Sequence, residues 1–363
     1  MGDLTKENVR TFSKESTLVT KGIFIILLLM HHLFYDAGII DYYGVTTICD
    51  DVNFMSDFVT YARICIAGFA FLSAFGITRK LKSGKEPNSK GYAKVVFKRI
   101  IKLEAAAWFV FIVSMLYRKI VLGESIKLLY VGVENKFEPL YMLIDMCGLS
   151  TYFGTPHMNV TWWYLSFALL LIVALPVLFV MYEKYRLALI PAGLLLPVVI
   201  FNGNVYFASL LSIIILGIAF AYEDWFEKLE YEARNWQWRV LQLVVCVALL
   251  VLSFELCNKV NEIYMYPFAF VFAYISYMYI ARIPILKDVL KFIGKHATNI
   301  FLVHTLIYYY FYSDFIYSFG YSWAILTVLL IISLLVSMVI ELLKKMTGYQ
   351  WLINKILNRI DAL

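Results

Sequence analysis

Long apolar runs alternate with short charged segments along almost the whole chain. A helix needs roughly 20 mostly apolar residues to cross about 30 Å of hydrocarbon. Ten runs approach that requirement, at 22–40, 58–78, 103–122, 161–181, 187–201, 204–222, 240–257, 262–281, 297–316 and 322–343. The pattern predicts an all-α integral membrane protein, a bundle of about ten transmembrane helices forming one polytopic domain over residues 1–363. Asn202, Gly203 and Asn204 alone separate the fifth run from the sixth and read as a tight turn. Pro191 and Pro197 predict a kink within the fifth run, which a helix bundle tolerates.

Composition agrees with lipid as the solvent. The chain is 62% hydrophobic and only 16% charged, more apolar surface than a water-soluble domain of 363 residues can hide. Its net charge of +6 does not point to nucleic acid, because the basic residues sit in the short segments between apolar runs. With the N-terminus inside, the inner segments hold 26 lysines and arginines and the outer segments hold 5, namely Arg118, Lys119, Lys127, Lys136 and Lys259. That bias predicts cytoplasmic N- and C-termini. The first twenty residues are polar and no small-residue cleavage site follows Lys21, so the first run is expected to be retained as a span. Two hydrophilic segments are long. The inner one, 79–102, is strongly basic. The outer one, 123–160, mixes Tyr141 to Ile144 with Glu134, Glu138, Asp145 and His157, and is expected to lie partly in the interface. Cys65 and Cys246 fall in apolar runs as core residues, whereas Cys49 and Cys147 fall in outer loops where pairing is open. No cysteine or histidine spacing suggests a metal.

Ionisable groups inside spans are expensive unless paired or turned to a cavity, so each is a candidate for function. The first run carries Lys21 at its inner mouth, then His31 and His32, then Asp36. His32 is eleven residues beyond Lys21, about 16 Å along a helix. In a continuous helix Asp36 lies one turn further on the same face, where a carboxylate can orient an imidazole. Arg63, in the second run, is compatible with snorkelling, with pairing to Asp36 or Asp57, or with an anionic substrate group. His304 in the ninth run reads, taken alone, as a structural hydrogen-bonding group. Arg79, Lys98, Arg99 and Lys102 follow from topology and lipid charge, and equally suit a phosphate clamp for a nucleotide-bearing donor. Trp162, Trp163 and Tyr164 fit an aromatic belt, with a sugar-stacking platform as the rarer alternative.

Four segments together resemble acyltransferase family 3, integral membrane enzymes that acylate extracytoplasmic molecules, usually by O-acetylation. Lys21 to His32 matches the family's basic residue, ten intervening residues and histidine in the first span. Phe71-Leu72-Ser73-Ala74-Phe75 is similar to its F-x-L-S-G-F segment, and Phe97 to Lys102 to its R-x-x-R element. Ile293 to His304 is similar to its late G-x-x-S-x-x-I-Y-L-x-H segment. The chain departs from the pattern in having Lys21 and Lys102 for arginine, Ala74 for glycine and Thr298 for serine. Where many members follow W-x-L-S with glutamate, Ser166 here runs into Phe167 and Ala168. The 363 residues are expected to carry no fused esterase-like domain, so a second enzyme is expected to complete any two-step transfer.

The resemblance implies transfer of an acyl group, usually acetyl from acetyl-CoA, to a hydroxyl of a cell-surface glycan or similar acceptor at the plasma membrane. On that reading Lys21, Arg79, Lys98, Arg99 and Lys102 are expected to hold the donor phosphates. His32, supported by Asp36, is expected to act as general base or as acyl carrier. Arg63, His304, Trp163 and Tyr164 are expected to position the acceptor. Buried charges and kinked spans also suit a transporter or flippase of a lipid-linked sugar, the alternative from a different class.

Overall fold

The computed structural model describes residues 11–47, 52–83, 89–132, 135–199, 206–233 and 235–362. The expected 202–204 turn, Glu134 and Cys49, with its open pairing to Cys147, lie outside the described residues. Among the described residues helix accounts for almost all the regular structure, and β pairing is confined to isolated bridges such as that of Val131 with Phe137. Among the described residues, seven helical stretches are long and apolar enough to cross a membrane: 14–34, 53–82, 90–120, 160–197, 236–259, 262–282 and 322–346. Of the ten expected runs, the fourth and fifth fall in one such stretch, the sixth is a shorter helix, and the ninth is broken by a π-helical turn.

The contacts divide into two compact units, Met1–Ser83 with Leu175–Ala297 and Gly84–Ala174 with Thr298–Leu363. In chain order, the first unit opens with α1 (Lys14–Phe34), α2 (Ala37–Tyr43), α3 (Val52–Tyr61) and α4 (Ile64–Lys82). Next come α5 (Ser89–Ile120), α6 (Pro139–Met146) and α7 (Ser150–Phe153) of the second unit, then α8 (Trp163–Tyr185), which runs from the second unit into the first. The first unit continues with α9 (Leu189–Val199), α10 (Tyr206–Ser209), α11 (Leu211–Tyr222), α12 (Trp225–Glu232), α13 (Trp236–Lys259), α14 (Ala269–Met278) and α15 (Pro284–Lys295). The chain closes with α16 (Ala297–Thr305), α17 (Ser313–Tyr317), α18 (Ser322–Met346) and α19 (Tyr349–Ala362).

In the first unit, α1 is started by Ser13, whose hydroxyl accepts from the Ser16 N–H at 3.3 Å. It crosses α15 backbone to backbone. A Cβ on Gly22 would lie 2.2 Å from the Leu290 carbonyl oxygen, and one on Gly294 only 1.8 Å from that of Leu18. Small residues at a crossing are how membrane helices approach most closely. Both glycines belong to the segments that carry the family resemblance, so two distant motifs meet at one contact. Phe71 and Phe75 enter an aromatic core around Phe226, with centroid separations of 6.1 and 5.5 Å. Phe12 stacks on Phe226 at 4.3 Å, joining the start of the described chain to that core.

The helix of the second run is interrupted at Ala62 and Arg63. The Arg63 N–H turns from the Val59 carbonyl, its regular helical acceptor, to that of Thr60 at 3.2 Å. The Val59 carbonyl is thereby left without its helical donor.

In the second unit, the 123–160 segment folds around one buried acid. Asp145 accepts from the Tyr130 hydroxyl at 2.6 Å, the Met158 N–H at 2.8 Å and the Ser150 hydroxyl at 3.0 Å. Glycines with positive φ, Gly148 at 65° and Gly154 at 61°, follow α6, which carries Asp145, and α7. Burial raises the Asp145 carboxyl above its ordinary range, against the three donors that favour the ionised form. After α18, Gly348 at φ 71° turns the chain into the amphipathic α19. Its Tyr349 hydroxyl donates to the Ala105 carbonyl at 2.8 Å, which docks α19 on α5.

Candidate functional site

The adjacent histidines of α1 have different surroundings. His31 is buried, and its Nδ1 lies 2.9 Å from the Val59 carbonyl oxygen. That oxygen can only accept, so Nδ1 carries the proton. His31 thus supplies the donor that the break at Ala62 and Arg63 takes away, a structural duty fixed by backbone geometry. His32 is half-buried, its ring centroid 5.1 Å from that of His31. Lys21 is half-buried as well, and stands beside Gly22 at the close crossing with α15.

Asp36 does not occupy the place expected of it. Helix α1 ends at Phe34, and Asp36 takes extended backbone angles as the N-cap of α2, accepting from the Gly38 N–H at 2.9 Å. The aspartate serves a helix start in an exposed turn, so the one-turn spacing from His32 in a continuous helix is lost. Arg63, at the break, has its Nη1 donating to Glu262, an acid the sequence did not suggest as its partner.

The basic segments divide. Arg79 pairs with Glu227 at 2.6 Å and with Asp224 at 3.3 Å, and Lys82 pairs with Asp224 at 2.9 Å. These bridges join α4 to the acidic α12, so Arg79 is already engaged as a structural cation. Lys98 is likewise paired, with Asp361 of α19. Arg99 and Lys102 are both exposed, and no ion pair to Arg99 occurs among the described residues. Of the five cations expected at the donor, Arg79 and Lys98 are thus tied to acidic partners on α12 and α19.

His304, on α16 of the second unit, is fully buried. Its Nδ1 lies 2.8 Å from the Phe301 carbonyl oxygen and 3.1 Å from that of Ile300, so this nitrogen is the donor. Its Nε2 lies 3.1 Å from the Thr305 hydroxyl, which is 3.0 Å from the Thr161 hydroxyl. Thr161 in turn donates to Asn159 Oδ1 at 2.8 Å, and the Trp162 indole donates to the Leu302 carbonyl at 3.2 Å. Sequence reasoning passed over Asn159, Thr161 and Thr305, whose only signal was a polar group beside or within an apolar run. Trp163 and Tyr164 are half-buried, and the Tyr164 ring meets Phe301 edge-on at 5.7 Å. The structure therefore brings Tyr164 to the His304 segment, whereas Trp162, the buried member of the trio, makes the backbone bond.

The model of acyltransferase family 3, described as an acyltransferase domain, matches residues 19–342. The chain belongs to this family. No curated protein and no solved structure matches it. Family membership identifies a membrane acyltransferase and decides against the transporter reading. Among the described residues, no group of three or more histidine, cysteine or acidic side chains is placed to hold a metal.

Proposed function

We propose that this family member moves an acyl group, acetyl in the simplest case, from acyl-CoA on the cytoplasmic side to a hydroxyl of an extracytoplasmic acceptor, a cell-surface glycan, at the plasma membrane. The observation that carries the assignment of the reacting group is the division of the histidine pair. His31 is bound to the Val59 carbonyl, and His32, within the matched domain, stands ten intervening residues after Lys21, the spacing on which the chain resembles the family.

In the reaction the acceptor oxygen attacks the thioester carbonyl, the carbon–sulfur bond breaks, and the proton from the hydroxyl ends on the CoA sulfur. His32 carries that proton between them as general base and then acid. In the second form of the step, His32 itself takes the acyl group and passes it to the acceptor. Arg99 and Lys102 hold donor phosphates, Arg99 as a planar fork and Lys102 as a point charge. Lys21 adds a third cation on the His32 helix. In the second unit His304, held by the Phe301 and Ile300 carbonyls and backed by the Thr305–Thr161–Asn159 chain, positions the acceptor with Tyr164 and Trp163. In the first unit Arg63, paired with Glu262, is the cation proposed to meet an anionic substrate group.

The test uses purified protein in nanodiscs and acyl-labelled CoA. Wild type is expected to consume or transfer label, and His32→Gln to lose that activity while remaining folded. Full transfer by His32→Gln would remove the central claim. A folded wild type that neither binds nor turns over acetyl-CoA or succinyl-CoA would remove the donor assignment.

A further inference from the structure

Arg118 occupies the last turn of α5 and is 4% exposed. Its guanidinium lies under two rings, 4.9 Å from the Phe311 centroid and 5.3 Å from that of Tyr310. Nη1 donates to Glu124 Oε2 at 2.6 Å. Nε and Nη2 are also buried, yet neither has a hydrogen-bond partner among the described residues. Buried donors are nearly always satisfied, and leaving donors of a charged group unmet is especially costly. The neighbouring acid does not answer them, because Asp145 accepts instead from Tyr130, Ser150 and Met158.

The geometry of the two unmet donors is specific. Nε and Nη2 share one edge of the guanidinium plane and point two N–H bonds the same way, the arrangement that receives two oxygens of a carboxylate or phosphate. Glu124 holds the other end of the group and is 43% exposed on its side chain, so it can turn to water without leaving a buried charge behind. The two rings come from the π-helical turn Leu306–Phe311, which begins directly after His304 and Thr305. Such turns are rare and recur at functional sites. The lysine and arginine distribution puts this end of α5 on the outer side, where the acceptor resides.

We propose that the Nε–Nη2 edge of Arg118 binds an oxyanion carried by the acceptor: the carboxylate of an acidic sugar, or the phosphate of a lipid-linked one. Both present two oxygens in the required plane. The inference rests on the acyl-transfer reading and narrows its acceptor to an anionic molecule. Phe311 and Tyr310 hold the guanidinium plane, Glu124 tunes its charge, and the π-turn ties this recognition to the His304 segment.

The test is a binding measurement on the full chain in phosphatidylcholine nanodiscs, with thermal unfolding as the readout. One arm compares sodium glucuronate with glucose, and the other replaces part of the phosphatidylcholine with phosphatidylglycerol. Stabilisation by glucuronate alone identifies a sugar carboxylate, and stabilisation by phosphatidylglycerol alone identifies a lipid phosphate. Arg118→Gln is expected to weaken the effective anion by about 10- to 100-fold, the weight of charge-assisted bonds. Arg118→Lys, which keeps the charge and loses the edge, is expected not to restore it, and Glu124→Gln is expected to tighten binding. If Arg118→Gln fails to fold, the wild-type, Arg118→Lys and Glu124→Gln titrations decide. The proposal is overturned if wild type distinguishes neither anion from its neutral counterpart, or if Arg118→Lys binds as wild type does. Label transfer measured in parallel separates the two readings. Intact transfer without anion binding sinks this inference alone, and Arg118-dependent binding without any transfer sinks the acyltransferase mechanism and leaves the site standing.

Discussion

Gly294→Ala is the substitution whose cost can be worked most directly from the structure. The added Cβ would stand 1.8 Å from the Leu18 carbonyl oxygen, 2.8 Å from its carbon and 3.0 Å from the Gly22 nitrogen. All three neighbours are backbone, so no side chain can swing aside, and α1 and α15 must separate by about 1.5 Å at this point to reach ordinary contact. Overpacking of this kind costs about 1–3 kcal/mol, against about 1 kcal/mol gained from alanine's helix propensity. The separation also loosens the bridges from Lys287 and Lys291 of α15 to Glu15. Gly22→Ala, at 2.2 Å from the Leu290 carbonyl oxygen, forces the same separation from the other side. The double variant should therefore cost clearly less than the sum of the singles, because the second methyl enters a gap the first has opened. Equilibrium unfolding of the three variants in detergent micelles gives the numbers. Strict additivity, or a net stabilisation by either alanine, would refute the backbone-to-backbone crossing.

Three further outcomes follow from separate parts of the structure. His31→Leu should lower stability by about 1–3 kcal/mol by orphaning the Val59 carbonyl, and His31→Gln should recover part of that loss and retain transfer; unfolding midpoints with label transfer check both. Arg79→Gln should lower stability by uncoupling α4 from α12 with donor affinity unchanged, whereas Arg99→Gln with Lys102→Gln should weaken acyl-CoA binding by about tenfold or more, which calorimetry on purified protein separates. Asp145 has a raised carboxyl value in the fold, so its stabilising contribution is complete below the ordinary carboxylate range and is lost as pH rises through the folded value. Hydrogen exchange in the 123–160 segment should accordingly quicken with pH beyond the intrinsic chemical rate, and Asp145→Asn should abolish that excess; an unchanged excess in the variant would contradict it.

Much of the membrane architecture was legible because a long apolar run has few other fates. The Lys21 to His32 segment and the Ile293 to His304 segment were legible as motifs. The duties inside them were not, because they depend on distant backbone. Nothing in Tyr61, Ala62 and Arg63 announces a helix break by proline or glycine, so the carbonyl that occupies His31 could not be foreseen. Asp36 was misplaced because its spacing from His32 was read as a continuous helix, whereas an aspartate followed by alanine and glycine also starts one. The sequence leaves Arg79 and Lys98 open between topology and a phosphate clamp because their acidic partners, on α12 and α19, lie far off in the chain. Arg118 was visible only as one of the few outer cations; its burial under Tyr310 and Phe311 depends on a π-turn that periodicity does not reveal. Gly22 and Gly294 did leave a signal, since glycine inside a helix is costly unless something must come close.

The donor that closes the α3–α4 break has a consequence for how variation among relatives should be read. Position 31 asks for a side chain that can present one N–H or O–H to the Val59 carbonyl, so asparagine, glutamine or threonine there keeps part of what histidine supplies. It should drift together with the residues that set the break, and a relative whose second helix runs uninterrupted should carry an aliphatic residue at 31. Two histidines that look like a repeated letter thus differ in kind: the bond made by His31 answers to a neighbouring helix, whereas the role in the reaction is proposed for His32 alone.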